Sequence, residues 1–269
     1  MSRTPLLTTL LWTSVGVATL AACSNDAAPI FDAASIDSAV DAEVGAIARY
    51  ATTVDTTATC GVVMPDTVEL TVFNDGNAPL TISAATATGG FTVTTTLPLE
   101  IAPGASGALT VRPPAAVVGT DRGGTSKTGL LTFTTNTAVQ GAAVTLASVV
   151  QGANLSFENS AGEAITGVNL TVASGCPAPQ AVFIRNTGNL EAQVTNVSAS
   201  GTFSVGQLSP SSTVAPGSTI NHDVGPFTFS ACSGTSMVTY QVTGTVCTAT
   251  PLTLTTTLNV TGQSSCFCS

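Results

Sequence analysis

The side chains best equipped for chemistry in this chain are its seven cysteines, its single histidine and a few acids. Cys266 and Cys268 lie in a Cys-Phe-Cys run near the last residue and could hold a soft metal such as copper or zinc as thiolates. In an oxidising compartment the same two would close disulfides instead. A Cys-x-Cys bridge closed on itself is strained, so each is expected to have its own partner. Cys232 and Cys247 flank a predicted hairpin centred on Ser236 to Val242 and could face each other across it. A catalytic triad needs a base oriented beside a nucleophile. The only candidate base of the usual kind is His222, and on a strand the adjacent Asp223 points to the opposite face. His222 therefore reads as an exposed or half-buried strand residue. Paired carboxylates would have to converge in a cleft, whereas acids such as Glu69 are expected at turns or on outward faces. The run Gly119 to Thr128, GTDRGGTSKT, fails the phosphate-loop spacing because Thr125 stands where Lys must follow Gly124. It reads as a mobile, charged inter-strand loop that could serve as a contact surface. No catalytic residue, resident metal or cofactor is expected.

The elements that must carry these residues follow from composition. Of 269 residues only 8% are charged and 5% aromatic. Thr, Ala, Val, Ser and Gly dominate, a mixture that suits many short strands. The formal net charge is −9, from 6 Lys and Arg against 15 Asp and Glu. With no basic stripe to release counterions, nucleic-acid binding is not expected.

The first 23 residues read as an address. Arg3 opens a positively charged region, Leu6 to Leu20 form a mostly apolar stretch, and Leu20-Ala21-Ala22-Cys23 follow. The apolar stretch is at the short limit for a membrane span, which needs about 20 residues. Small residues directly before a cysteine resemble the lipobox of bacterial lipoproteins. The resemblance implies a signal peptide over 1–22, lipid attachment at Cys23 and a membrane anchor through that lipid. Ser24 in place of Asp implies, by the same resemblance, the outer membrane, facing the periplasm or the cell surface. Residues 24–45 hold Asp26, Asp32, Asp37, Asp41 and Glu43 and no basic residue. The acids are too widely spaced for a calcium loop, so 23–45 reads as the lipidated Cys and an acidic flexible tether. Without Cys23, six cysteines remain: Cys60, Cys176, Cys232, Cys247, Cys266 and Cys268. An even number in an exported chain makes all six candidates for disulfides, with the connectivity open.

The strongest pattern is an internal duplication. Residues 68–93, VELTVFNDGNAPLTISAATATGGFTV, align without a gap on 180–205, QAVFIRNTGNLEAQVTNVSASGTFSV. Asn74, Gly76, Asn77, Gly89, Phe91 and Val93 match Asn186, Gly188, Asn189, Gly201, Phe203 and Val205. Ala102-Pro103-Gly104 matches Ala215-Pro216-Gly217 after a one-residue gap. Val68, Leu70 and Val72 alternate with Thr67, Glu69 and Thr71, a strand with one buried face. The Asn-x-Gly-Asn segments supply turn residues that tolerate positive φ, expected to join two antiparallel strands. Phe91 and Phe203 are expected to plug the two cores. Leu130 to Thr135 and Leu252 to Val260 read as closing strands. Many short strands at regular spacing predict an all-β chain of two tandem immunoglobulin-like antiparallel β-sandwiches, repeat 1 over 46–152 and repeat 2 over 153–263. A Cys-x-Cys tail occupies 264–269.

The order strand, Asn-x-Gly-Asn turn, strand, Gly-x-Phe-x-Val, Ala-Pro-Gly turn resembles the ASH (abnormal spindle–hydin) immunoglobulin-like domains, whose bacterial relatives include choice-of-anchor-D repeats of envelope lipoproteins. The sequence departs from that pattern after the Ala-Pro-Gly turns, with Val111-Arg112-Pro113-Pro114 and Val224-Gly225-Pro226-Phe227. The resemblance implies a non-enzymatic structural, adhesive or protein- or polysaccharide-binding module of the cell envelope, its partner an envelope protein or a polysaccharide. The alternative is a metal-handling or thiol-active envelope protein working through Cys266 and Cys268.

Overall fold

The computed structural model describes residues 45–137, 143–173, 175, 177–200, 212–225 and 232–261, all within one compact unit, Glu43–Ser269. Every regular element among them is a strand. The first half of the described chain forms β1 (Ala48–Tyr50), β2 (Thr53–Thr59), β3 (Val68–Asn74), β4 (Leu80–Ala87), β5 (Thr92–Val93), β6 (Leu99–Ile101), β7 (Ser106–Arg112), β8 (Ser126–Thr135) and β9 (Val144–Gln151). They build two sheets, ordered β1-β3-β7-β5 and β2-β9-β8-β4-β6. The second half forms β10 (Leu155–Glu158), β11 (Gly167–Val172), β12 (Gln180–Asn186), β13 (Ala192–Ser200), β14 (Ser212–Val214), β15 (Thr219–Val224), β16 (Ser233–Thr243) and β17 (Leu252–Val260). Its sheets run β10-β12-β15 and β11-β17-β16-β13-β14. Strand for strand the second set repeats the first; the residues that match β5 lie outside the described ones. The chain is thus all-β, with two tandem immunoglobulin-like β-sandwiches.

Period-two patterning makes these sheets. In β17 Leu252, Leu254, Thr256, Leu258 and Val260 are buried and every intervening residue is exposed. Each half closes over its own core. Leu70, Val72, Leu80, Ile82, Leu109 and Leu131 centre the first; Ile184, Val194, Val238, Tyr240 and Leu254 centre the second. Burying one such side chain contributes about 1.5–3 kcal/mol. Phe91 sits in the first core at 3% exposure, as its spacing suggested; Phe203 lies outside the described residues.

Four features differ from the sequence reading. The sheets are not wholly antiparallel, since β2 runs parallel to β9 and β11 parallel to β17. The opening segment of each sandwich starts in one sheet and crosses to the other, arriving beside the last strand with the same direction. Next, the closing strand of the first sandwich is β9, while Leu130 to Thr135 belong to β8. The Asn-x-Gly-Asn segments are not hairpin turns either, because β3 and β4, like β12 and β13, lie in different sheets. Neither Gly76 nor Gly188 has a positive φ. These two glycines are needed because the opening strand crosses against them: a Cβ would strike the backbone at Gly45 to Ile47 or at Gly152 to Asn154. Positive φ belongs instead to Gly104 and Gly217 of the Ala-Pro-Gly turns, at 70° and 73°. Finally, Ser236 to Val242 is the middle of one 11-residue strand, β16, not a hairpin. Ser236, Val238 and Tyr240 point inward without a break, and the next turn waits until Gly244, at φ 108°.

Candidate functional site

Asn74 and Asn186 show what the repeated turns do. Both are fully buried. The Asn74 amide donates to the carbonyls of Ala78 at 2.8 Å and Ile101 at 3.0 Å, while its oxygen accepts from the N–H of Gly76 at 3.1 Å and of Ile47 at 3.4 Å. Asn186 repeats the set, donating to Leu190 and Val214 and accepting from Gly188 and Asn154. One side chain therefore ties the crossing turn, the Ala-Pro-Gly side and the opening strand together, which is a structural task.

The cysteines are sorted differently from the predicted hairpin. Cys247 is bridged to Cys60, 187 residues away, with the Cα atoms 5.2 Å apart. The pairing of Cys247 with Cys232 fails because β16 holds their segments apart: its 11 residues span roughly 35 Å, far beyond disulfide reach. Cys232 is also a half-cystine, its partner outside the described residues. Leu20, Ala21, Ala22, Cys23, Cys176, Cys266 and Cys268 lie outside them too.

The Cys60–Cys247 bridge joins the two sandwiches. Both sulfurs are buried, with Ala58, Ala116 and Val150, in a small third core at the junction. Around it the segment expected to be a mobile charged loop is built into the contact. Gly119 N–H donates to the Cys247 carbonyl at 2.6 Å, and Gly124 N–H to the Val150 carbonyl at 2.8 Å. Gly123 exchanges two hydrogen bonds with the Asn154 side chain. Asn189 accepts from Gly152 N–H and donates to the Val150 carbonyl and to Gln151. Two of the loop's three charges are used internally: Lys127 donates to Asp121 at 2.7 Å and to the Ala115 carbonyl, and Asp121 accepts from Val117 N–H at 2.6 Å, while Arg122 is exposed. The Lys127 hydrogen bond, then that of Val117, hold the Asp121 carboxyl below the usual carboxylate range, against a smaller opposing effect of burial. Beside the bridge Val62, Val63, Met64, Val117 and Val118 are exposed, Val63 at 84%, an apolar lip next to the junction.

His222 is buried, at 6% exposure, not exposed or half-buried. It shares the inward face of β15 with Val224, and Asp223 points outward. Its Nδ1 lies 2.9 Å from the Tyr240 hydroxyl, with the rings edge to face. Burial pushes the Tyr240 pKa well above its ordinary value. In the duplicated register, His222 pairs with Val182 as Leu109 pairs with Leu70. Tyr240 adjoins the Val238↔Ala199 pair as Phe133 adjoins Leu131↔Ala87. Where one core has Leu109 and Phe133, the other has the hydrogen-bonded His222 and Tyr240. Among the described residues no three His, Cys, Asp or Glu side chains come together as a metal group could.

An open cleft of about 670 Å³ lies in the first sandwich where β1 parts from β2, and the sequence reading did not find it. Arg49, Tyr50 and Phe73 form one wall, Asp55 and Glu69 the rim, and Val54 and Leu70 are among its apolar residues. Arg49 lies over the Phe73 ring, 4.2 Å from its centroid, and pairs with Asp75 at 2.6 Å. The only signal in the sequence was the rarity of such residues: Arg49-Tyr50 and Phe73 stand out in a chain so poor in charge and aromatics.

No family model matches the chain, and no curated protein matches it. Among solved structures, a protein of unknown function from Porphyromonas gingivalis W83 is 10% identical, with TM-score 0.31 over 79% of this chain and 99% of its own. The CupB2 chaperone of Pseudomonas aeruginosa is 15% identical, with TM-score 0.29 over 80% and 100%. The secreted serine protease VesC of Vibrio cholerae is 10% identical, with TM-score 0.29 over 84% and 51%. A likeness of this depth carries nothing about what the chain binds.

Proposed function

We propose that the chain is an exported, lipid-tethered, non-enzymatic binding or adhesive module of a bacterial cell envelope. The junction is the observation that carries this reading. A buried disulfide and a ring of backbone and Asn hydrogen bonds join the two sandwiches, and such bridges persist in oxidising, extracytoplasmic compartments. In this reading Cys23 carries the lipid, 24–45 is the tether, and 46–152 and 153–263 are two ASH-like repeats that present loops and edges to an envelope protein or polysaccharide.

Intact mass and non-reducing peptide mapping of protein from its own membranes test the reading. The expected result is a diacylated or triacylated Cys23, with Cys60 linked to Cys247 and the other four cysteines bridged. An unmodified Cys23 sinks the lipid tether. Free thiols at Cys266 and Cys268 holding stoichiometric copper or zinc would favour the metal-handling alternative.

A further inference from the structure

The cleft of the first sandwich lies along an unpaired strand edge. β1 covers β3 only from Val72 to Asn74. From Val68 to Thr71, about 13 Å of strand, β3 has no partner on that side among the described residues. Opposite lies β2, itself the outer strand of the other sheet. Backbone donors and acceptors in this alternation are matched in register by another extended backbone. Apolar surface lies behind the edge: Val54 and Leu70 line the cleft from the core, and half-buried Val68 is beside them. Every second side chain of an added strand could rest there.

The charge of the rim selects further. Asp55 and Glu69 are exposed and have no ion-pair partner among the described residues. Arg49 is already held by Asp75 and Phe73, and the whole chain carries −9. The second sandwich handles the same place differently. Between β10 and β11 it has eight residues, 159–166, folded back by Asn159 N–H to the Glu163 carbonyl and Ile165 N–H to the Phe157 carbonyl, with Ile165 packed on the core. The first sandwich crosses with only Ala51 and Thr52.

We propose that this cleft is a strand-acceptor site, which takes an extended, net-basic polypeptide segment of a partner protein against the free edge of β3. The proposal rests on the binding-module reading and names the site and partner chemistry within it. It is tested with the full chain and a capped octapeptide of alternating Val and Lys. Two comparisons accompany it: the same peptide with N-methylated valines, and an uncharged polysaccharide, dextran. Saturable binding with slowed amide exchange in 68–71 is expected. The N-methylated peptide should not bind, and the double substitution Asp55→Lys with Glu69→Lys should weaken binding about tenfold. Both side chains are exposed, so the variant's unchanged thermal midpoint serves as the control for folding. Equal binding of the N-methylated peptide, no protection in 68–71, or protection there by dextran instead would overturn the proposal. Affinity capture from native membranes with both proteins separates the two readings. A partner held equally by the variant removes the cleft but leaves the module. No partner on either protein removes the module itself.

Discussion

The polar residues most suggestive of chemistry are spent on holding the cores together. His222 and Tyr240 form a buried pair at positions where the other sandwich has Leu109 and Phe133. Tyr240→Phe removes the hydroxyl from the His222 Nδ1, and should cost about 1–3 kcal/mol in denaturant unfolding. In a double-mutant cycle with His222→Leu the two should couple by about 0.5–3 kcal/mol; additive effects would show that the contact contributes nothing. Thr256 behaves in the opposite sense. Its hydroxyl is fully buried without a hydrogen-bond partner, so Thr256→Val, which keeps the shape, should raise stability by about 1 kcal/mol. Asn74→Ala should lower it by roughly 2–4 kcal/mol, because four backbone groups, that of Ile101 buried and the other three part-buried, lose a partner at once. Period-two parity alone would have put His222 inside with Val224. Its polarity argued for the surface, and the Tyr240 hydroxyl, brought up by another strand, offsets that.

Among the elements, the segment Gly119 to Thr128 is the one whose role changed most between sequence and structure. Read alone, its glycines and charges describe a solvent-exposed loop. Folded, Gly123 sits where a Cβ would strike the Gly152 carbonyl, and Lys127 and Asp121 are less than a quarter exposed. Asp121 has a lowered pKa in the folded state, so its contribution is fully present above the unfolded value near 3.9. That contribution is lost as pH falls through the lower folded value. As pH falls through that folded value, the protection of the Val117 amide, whose N–H is held by Asp121, should fall relative to its intrinsic exchange rate. Asp121→Asn should remove most of that pH dependence, and an unchanged profile would show that the carboxylate is not its source. β16 teaches a related lesson. The Ser-Met-Val-Thr-Tyr-Gln run looked interruptible, but it alternates without a turn residue, and pattern outweighs composition where one face is buried.

At the scale of the whole molecule the Cys60–Cys247 bridge closes a loop of 187 residues, worth about 5 kcal/mol in the chain-entropy account of disulfides. It crosses from one sandwich to the other, so its removal should act on the junction more than on either core. Cys60→Ala with Cys247→Ala is expected to speed amide exchange at Gly119, Gly124 and Gly152, leaving the protected strands β3, β8, β12 and β17 little changed. Uniform loss of protection in all four strands would mean that the sandwiches unfold together and that the bridge holds up the whole.

The sequence alone was enough for the class of the fold, the duplication and the buried face of most strands. These depend on local alternation and on a repeat that any frame of the chain reveals, as Leu70 and Val72 beside Val182 and Ile184 show. It also picked out Asn74, Gly76, Asn186 and Gly188, though for the wrong reason. Their geometry is set by an opening strand nearly thirty or more residues away, crossing between sheets at close range. The tertiary structure decided which cysteine meets Cys247, which way His222 faces, where the loop at Gly123 docks and where β3 is left uncovered. Each is a contact between segments distant in the chain, whose pairing depends on how two sheets close over a core and how two sandwiches meet, and neither distance is written in local pattern.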